Sequence, residues 1–161
     1  KYASLSDGDG EKAVEYYRER YAPIGIFENK IYDGILPMLE KLKGKGFVTA
    51  LATSKPTVFA KRICDKFAIS PYLSEIVGSE LSGKHTDKAE VIAIAMEKLG
   101  ANTENTIMVG DRMHDIIGAR KNGIKAIGVE FGYAAENELY SLNPFAMAKT
   151  VSQLEKILLA L

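Results

Sequence analysis

The chain of 161 residues is 47% hydrophobic and 26% charged, the balance of an ordinary globular domain able to bury a core. Lys plus Arg and Asp plus Glu both total 21, so no net field draws the chain to nucleic acid or an anionic membrane, and small molecules are the expected partners. One cysteine, Cys64, excludes an internal disulfide, and no apolar run approaches the roughly 18 residues of a membrane span; with a polar start from Lys1 to Gly10, the expected location is cytoplasmic.

Glu11 to Tyr21 carries Val14, Tyr17 and Tyr21 at helical spacing, which predicts an amphipathic helix stopped by Pro23 and Gly25. The stretch to Asp33-Gly34 reads as a linker. Ile35, Leu36, Leu39 and Leu42 form the stripe of a second helix, with Pro37 in its first turn and Gly44 and Gly46 closing it. Phe47 to Ala52 is a short apolar run suited to a strand covered on both faces, ending at Thr53-Ser54. A helix from Pro56 runs through Val58, Phe59, Ile63 and Phe67, with Cys64 as a core residue, and a short strand follows at Glu75 to Val77.

Asp87, with Glu90 three residues on, starts a helix whose buried stripe is Val91, Ile92, Ala95, Met96 and Leu99, and Gly100 ends it. Thr106 to Val109 is a strand, Asp115 to Asn122 a helix stopped by Gly123, and Ile124 to Phe131 another strand. The last helix, Thr150 to Leu161, turns Val151, Leu154, Ile157, Leu158 and Leu161 inward, with Thr150 and Gln153 as a capping box. Strands alternating with helices of this length predict an α/β fold: a parallel sheet with right-handed crossovers and helices on both faces.

Ligands of such sheets bind beyond the carboxyl ends of the strands, so the polar residues there are the candidates for chemistry. At Thr53-Ser54-Lys55-Pro56, hydroxyls and the amides of a helix start can hold phosphate oxygens, or simply cap the helix. Lys88 sits early in a helix, where its charge opposes the dipole; it is either a solvated surface lysine or the partner of a bound anion. Val109-Gly110-Asp111-Arg112-Met113-His114-Asp115 places one carboxylate at a strand end and a second one turn later, a pair suited to Mg2+, which takes one or two carboxylates plus phosphate and water. His85 and His114 stand apart from any zinc-like set.

The order Leu51-Ala52-Thr53-Ser54-Lys55-Pro56, then Lys88, then Gly110-Asp111-Arg112-Met113-His114-Asp115 followed by Gly118, Ala119, Asn122 and Gly123 resembles the second, third and fourth motifs of the haloacid dehalogenase superfamily. The resemblance covers nearly the whole chain. Gly-Asp-Arg and the Gly132-Tyr133 loop are most similar to phosphoglycolate phosphatases and 5'-nucleotidases. The resemblance implies a Rossmann-like parallel sheet with flanking helices plus the remnant of a helical cap. It implies Mg2+-dependent hydrolysis of a small phosphorylated metabolite, such as phosphoglycolate or a nucleoside 5'-monophosphate, through an aspartyl-phosphate. Thr53, with Ser54, would contact the phosphoryl group, Lys88 would offset charge between nucleophile and phosphate, and Asp111 would ligate the metal with Asp115 supporting the metal or its water.

That family opens with an apolar strand ending in Asp-x-Asp-Gly-Thr/Val. Asp7-Gly8-Asp9-Gly10 imitates it, but the preceding Lys-Tyr-Ala-Ser-Leu-Ser is too polar for a central strand and Glu11 stands where the family has Thr or Val. The first motif is therefore expected upstream, with residues 1–27 as the end of a helical cap and 28–161 as a catalytic core lacking its first strand, a chain expected to be inactive alone. Alternatives are a phosphosugar mutase or dehalogenase relative, or a noncatalytic remnant. A phosphoacceptor receiver is disfavoured because its acid pair precedes its Thr and Lys, whereas Thr53 and Lys88 here precede Asp111 and Asp115.

Overall fold

The computed structural model describes residues 7–161, so the polar run before Asp7, expected not to be a strand, lies outside the described residues. The chain divides into two compact units, the first ending at Ile31 and the second comprising Tyr32–Leu161.

In the first unit, helix α1 (Asp7–Tyr21) is followed by a 3-10 turn at Gly25–Phe27. Asp7-Gly8-Asp9-Gly10 thus forms the first turn of a helix rather than the end of a strand. Arg20 clamps Glu28 through two hydrogen bonds, Nη1 to Oε2 at 2.8 Å and Nη2 to Oε1 at 2.6 Å, and Tyr17 stacks on Tyr21 with ring centroids 4.8 Å apart. Val14 and Tyr17, expected on a buried stripe, are exposed. Within this unit the only other described element is the short turn, too small to cover that face.

The second unit alternates helices and strands: α2 (Ile35–Gly44), β1 (Ala50–Pro56), α3 (Thr57–Lys66), β2 (Glu75–Ser79), α4 (Lys88–Leu99), β3 (Ile107–Gly110), α5 (Met113–Lys121), β4 (Lys125–Val129), β5 (Ala146–Ala148) and α6 (Val151–Leu159). All pairings are parallel, β1 with β2 in one sheet and β3-β4-β5 in another. Among the described residues β1 pairs with β2 alone and β3 with β4 alone, so each sheet has an edge at the strand that carries a predicted motif.

Side chains alternate across β4 as the pleat requires. Ile127 and Val129 pack with Met38 and Leu42 of α2 and Leu154 and Leu158 of α6, whereas Ala126 packs on the other face with Ile92 of α4 and Ile116 and Ala119 of α5. Val77 of β2 meets Val91 and Ala95, so α4 spans from one sheet to the other. Cys64 is buried in α3, and burial raises its thiol pKa.

Five sequence expectations need correction. The first strand starts at Ala50, not Phe47: Gly46, at φ +84°, reverses the chain after α2, Phe47 N donates to Leu42 O at 3.0 Å and Gly46 N to Lys43 O at 3.0 Å, a Schellman closure that ends a helix and leaves Phe47 and Val48 exposed. That strand also runs on to Pro56, through a register shift between Ala52 and Pro56, so α3 begins at Thr57. Strand β5 has no counterpart in the sequence reading, because three small or flexible residues after Pro144 carry no periodicity. Gln153 reaches back to Lys149 N (2.9 Å) rather than to Thr150 N, so Thr150 caps α6 through Gln153 N (3.1 Å) without a reciprocal box. Leu161, beyond the last turn of α6, is 60% exposed instead of inward.

Candidate active site

Asp111 immediately follows Gly110, the last residue of β3, and Asp115 lies in the first turn of α5. Asp115 is 5% exposed: its Oδ2 accepts from Asp111 N and Arg112 N, both at 3.1 Å, and its Oδ1 lies 3.0 Å from Lys88 Nζ. This proximity requires Gly110. A Cβ there would fall 2.1 Å from Asp115 Cβ and 2.5 Å from its Oδ2, which no side chain tolerates.

Lys88 enters from the first turn of α4, where Asp87 caps the helix by accepting from Ala89 N at 2.7 Å. Its side chain is 14% exposed, and besides Asp115 it donates to the backbone carbonyl of Ala52 in β1 at 3.1 Å. The lysine therefore lies outside the Val91, Ile92, Ala95 stripe, yet it is no solvated surface group: it links β1 to the first turn of α5, just past the end of β3. Asn122 fastens the same pair of helices, its Nδ2 donating to Ala89 O of α4 at 2.9 Å and to Gly118 O of α5 at 2.8 Å.

Thr53 follows Ala52 directly, so it stands one residue from the carbonyl that Lys88 holds. Its Oγ1 accepts from Lys55 N at 3.2 Å, a local turn, while its hydroxyl retains a proton to donate. The neighbouring Ser54 is exposed, and its carbonyl accepts from the buried Ser79 hydroxyl at 2.9 Å, fixing the end of β1.

The loop after β4 closes over Asp111. Tyr133 N donates to Asp111 Oδ2 at 2.9 Å, and a Cβ on Gly132 would fall 2.2 Å from Asp111 Cβ, so this loop also approaches through a glycine. The Tyr133 side chain is 80% exposed. Burial first, then the nearby Tyr133 and Asp111, push the Tyr32 phenol above its ordinary value. Glu138, which the sequence reading missed, holds the same region: its carboxyl is lowered to about 2 by the amides of Met113 and Ala135 and by the Arg112 guanidinium. Nothing in Ala134-Ala135-Glu136-Asn137-Glu138 signals a partner 26 residues upstream.

Thr53, Lys88, Asp111 and Asp115 are thus linked through neighbouring backbone and hydrogen bonds at the carboxyl ends of β1 and β3. His85 lies apart from that chain of contacts, between Glu80 at 3.7 Å and Glu90 at 3.5 Å. No group of three or more His, Cys, Asp or Glu placed to hold a metal occurs among the described residues.

Residues 3–129 match the haloacid dehalogenase-like hydrolase family. The chain belongs to that family. Among solved structures, a predicted phosphatase from Clostridium acetobutylicum superposes with a TM-score of 0.92 at 42% identity, covering 99% of this chain and 74% of that one. In sequence, a 5'-nucleotidase from Pseudomonas aeruginosa is 42% identical over 91% of this chain and 66% of its own length. The tyrosine-protein kinase PtkA from Mycobacterium tuberculosis is 35% identical over 92% of this chain and 52% of its own length. The chain therefore spans between half and two thirds of these curated relatives. Among the described residues no helix is long and apolar enough to cross a membrane.

Proposed function

We propose that the protein hydrolyses phosphate monoesters of small metabolites, with Asp111 and Asp115 serving Mg2+ and Thr53, Ser54 and Lys88 serving the phosphoryl group. The observation that carries this reading is the placement of Lys88: its ammonium donates to Ala52 O and pairs with Asp115 Oδ1 at 3.0 Å, which holds a positive charge beside the acid pair, and an ammonium has further donor capacity for a phosphate oxygen. Thr53 can donate its hydroxyl proton to a second oxygen from the β1 side. Asp111 and Asp115 fit magnesium by donor chemistry: both offer hard carboxylate oxygens, and the ion commonly takes one or two carboxylates with phosphate and water completing its shell. When bound, the metal would neutralise phosphate charge as a Lewis acid.

The attacking group in this reading is an aspartate other than Asp111 and Asp115, forming an aspartyl-phosphate. Residues 1–27 would then belong to a helical cap and 28–161 to the core, and the protein would act in the cytoplasm. Similarity to a protein named 5'-nucleotidase supports a nucleoside 5'-monophosphate as substrate, with phosphoglycolate as the other candidate.

The test is hydrolysis of p-nitrophenyl phosphate, phosphoglycolate and nucleoside 5'-monophosphates by the full-length protein, with and without Mg2+, beside Asp111→Asn. Metal-dependent release of phosphate, abolished in the variant, is expected. Metal-independent turnover of a haloacid, intramolecular phosphate shift on a sugar, or undiminished activity of Asp111→Asn would each overturn the reading.

A further inference from the structure

Glu138 makes more hydrogen bonds at the candidate site than any helix cap needs. Its Oε1 accepts from Met113 N, the first amide of α5, at 2.7 Å and from Arg112 Nε at 3.0 Å; its Oε2 accepts from Ala135 N at 3.1 Å. The Glu138 side chain is 12% exposed and the Arg112 side chain that it meets 48%. One carboxylate therefore ties the loop that carries Asp111 to the loop that covers it.

The covering loop in turn holds Asp111 itself. Two residues before Ala135, Tyr133 N donates to Asp111 Oδ2 at 2.9 Å, and the Gly132 backbone lies against the Asp111 side chain. Followed around, the contacts close a ring: Glu138 to Ala135, along the chain to Tyr133, across to Asp111, along the chain to Met113, and back to Glu138. As a cap for α5 Glu138 needs only the Met113 bond, since Met113 N is one of the orphan amides that a helix start leaves unsatisfied. The bond to Ala135 does nothing for the helix; it fixes the loop that orients a carboxylate.

We propose that Glu138 is a positioning residue that sets the orientation of the Asp111 carboxylate for its divalent cation, acting through Ala135 and Tyr133. This rests on the reading of Asp111 as a cation ligand. Groups that orient metal ligands typically cost 10–100-fold in metal affinity when removed. A carboxamide separates the two jobs of Glu138, because its single accepting oxygen can serve Met113 and Arg112, or Ala135, but not both.

The experiment is titration of the full-length protein with Mn2+, free metal being followed by electron paramagnetic resonance, alongside thermal unfolding. Glu138→Gln and Glu138→Ala are compared with the parent and with Glu136→Gln, an exposed neighbour. The expected result is that Glu138→Gln stays folded with a dissociation constant raised roughly 10-fold or more, Glu138→Ala loses at least as much, and Glu136→Gln matches the parent. Parent-like affinity in folded Glu138→Gln and Glu138→Ala overturns the positioning role alone. Absence of Mn2+ binding by the parent refutes the cation site and the proposal with it. Unfolding of both Glu138 variants makes the residue a structural cap and also overturns the proposal.

Discussion

Replacing Lys88 with Met removes a charge while keeping a side chain of similar length, so what is lost is electrostatic. The ammonium faces Asp115 at 3.0 Å with side-chain exposures of 14% and 6%, a pair largely withdrawn from water. Breaking such a pair from one side costs roughly 3–5 kcal/mol, because the remaining charge stays buried without its counterion. The amides of Asp111 and Arg112 still donate to Asp115 Oδ2, which places the expected loss near the lower end, about 3 kcal/mol. For a protein of this size that corresponds to a Tm lower by about 9 °C. Urea and thermal unfolding of Lys88→Met measure the loss, and a double-mutant cycle with Asp115→Asn isolates the pair. The double variant should recover about 2 kcal/mol relative to additivity, since no uncompensated carboxylate remains. A Lys88→Met variant that melts within about 2 °C of the parent, or two variants whose effects simply add, would refute the buried pair.

Gly132→Ala puts a methyl 2.2 Å from Asp111 Cβ, so the covering loop must retreat by roughly 1.5 Å to reach ordinary contact; overpacking of this kind costs about 1–3 kcal/mol, and calorimetry should show weakened Mg2+ binding in a variant that still folds. The acid limb of stability should report Glu138. Because its folded carboxyl lies near 2 against an ordinary 4.5, its contribution is complete above that ordinary value and vanishes as pH falls through it toward 2. The stability gap between parent and Glu138→Gln, followed by urea unfolding at successive pH values, should therefore be constant from pH 7 to about 5 and narrow below; a pH-independent gap would contradict the assignment.

Much of this arrangement was legible in the chain. Asp87 and Gly100 bracket α4 as their types demand, and the alternation of strand and helix predicted the parallel topology before any coordinate. Phe47 and Val48 misled because hydropathy registers an apolar pair but not the hydrogen bond from Phe47 N to Leu42 O that spends it on ending a helix. Lys88 illustrates a different limit. Local pattern places it correctly outside the apolar stripe of α4, yet its burial depends on Ala52 O, 36 residues away, and on Asp115, neither of which periodicity can see. Glu138 was invisible for the same reason, its three partners being backbone amides and a guanidinium gathered by topology. By contrast, Gly110 was readable as a close approach while Gly132 entered only through the family resemblance, and each lies where a methyl would displace a carboxylate.

The most direct test of a cation and phosphate site at the ends of β1 and β3 is Mg2+ titration of the isotopically labelled full-length protein, read from backbone amide shifts. The amides of Asp111 and Arg112, which donate to Asp115, and of Tyr133, which donates to Asp111, should move most and saturate together, with the shifts lost in Asp111→Asn. Saturable shifts centred elsewhere, or the same shifts persisting in Asp111→Asn, would contradict the site.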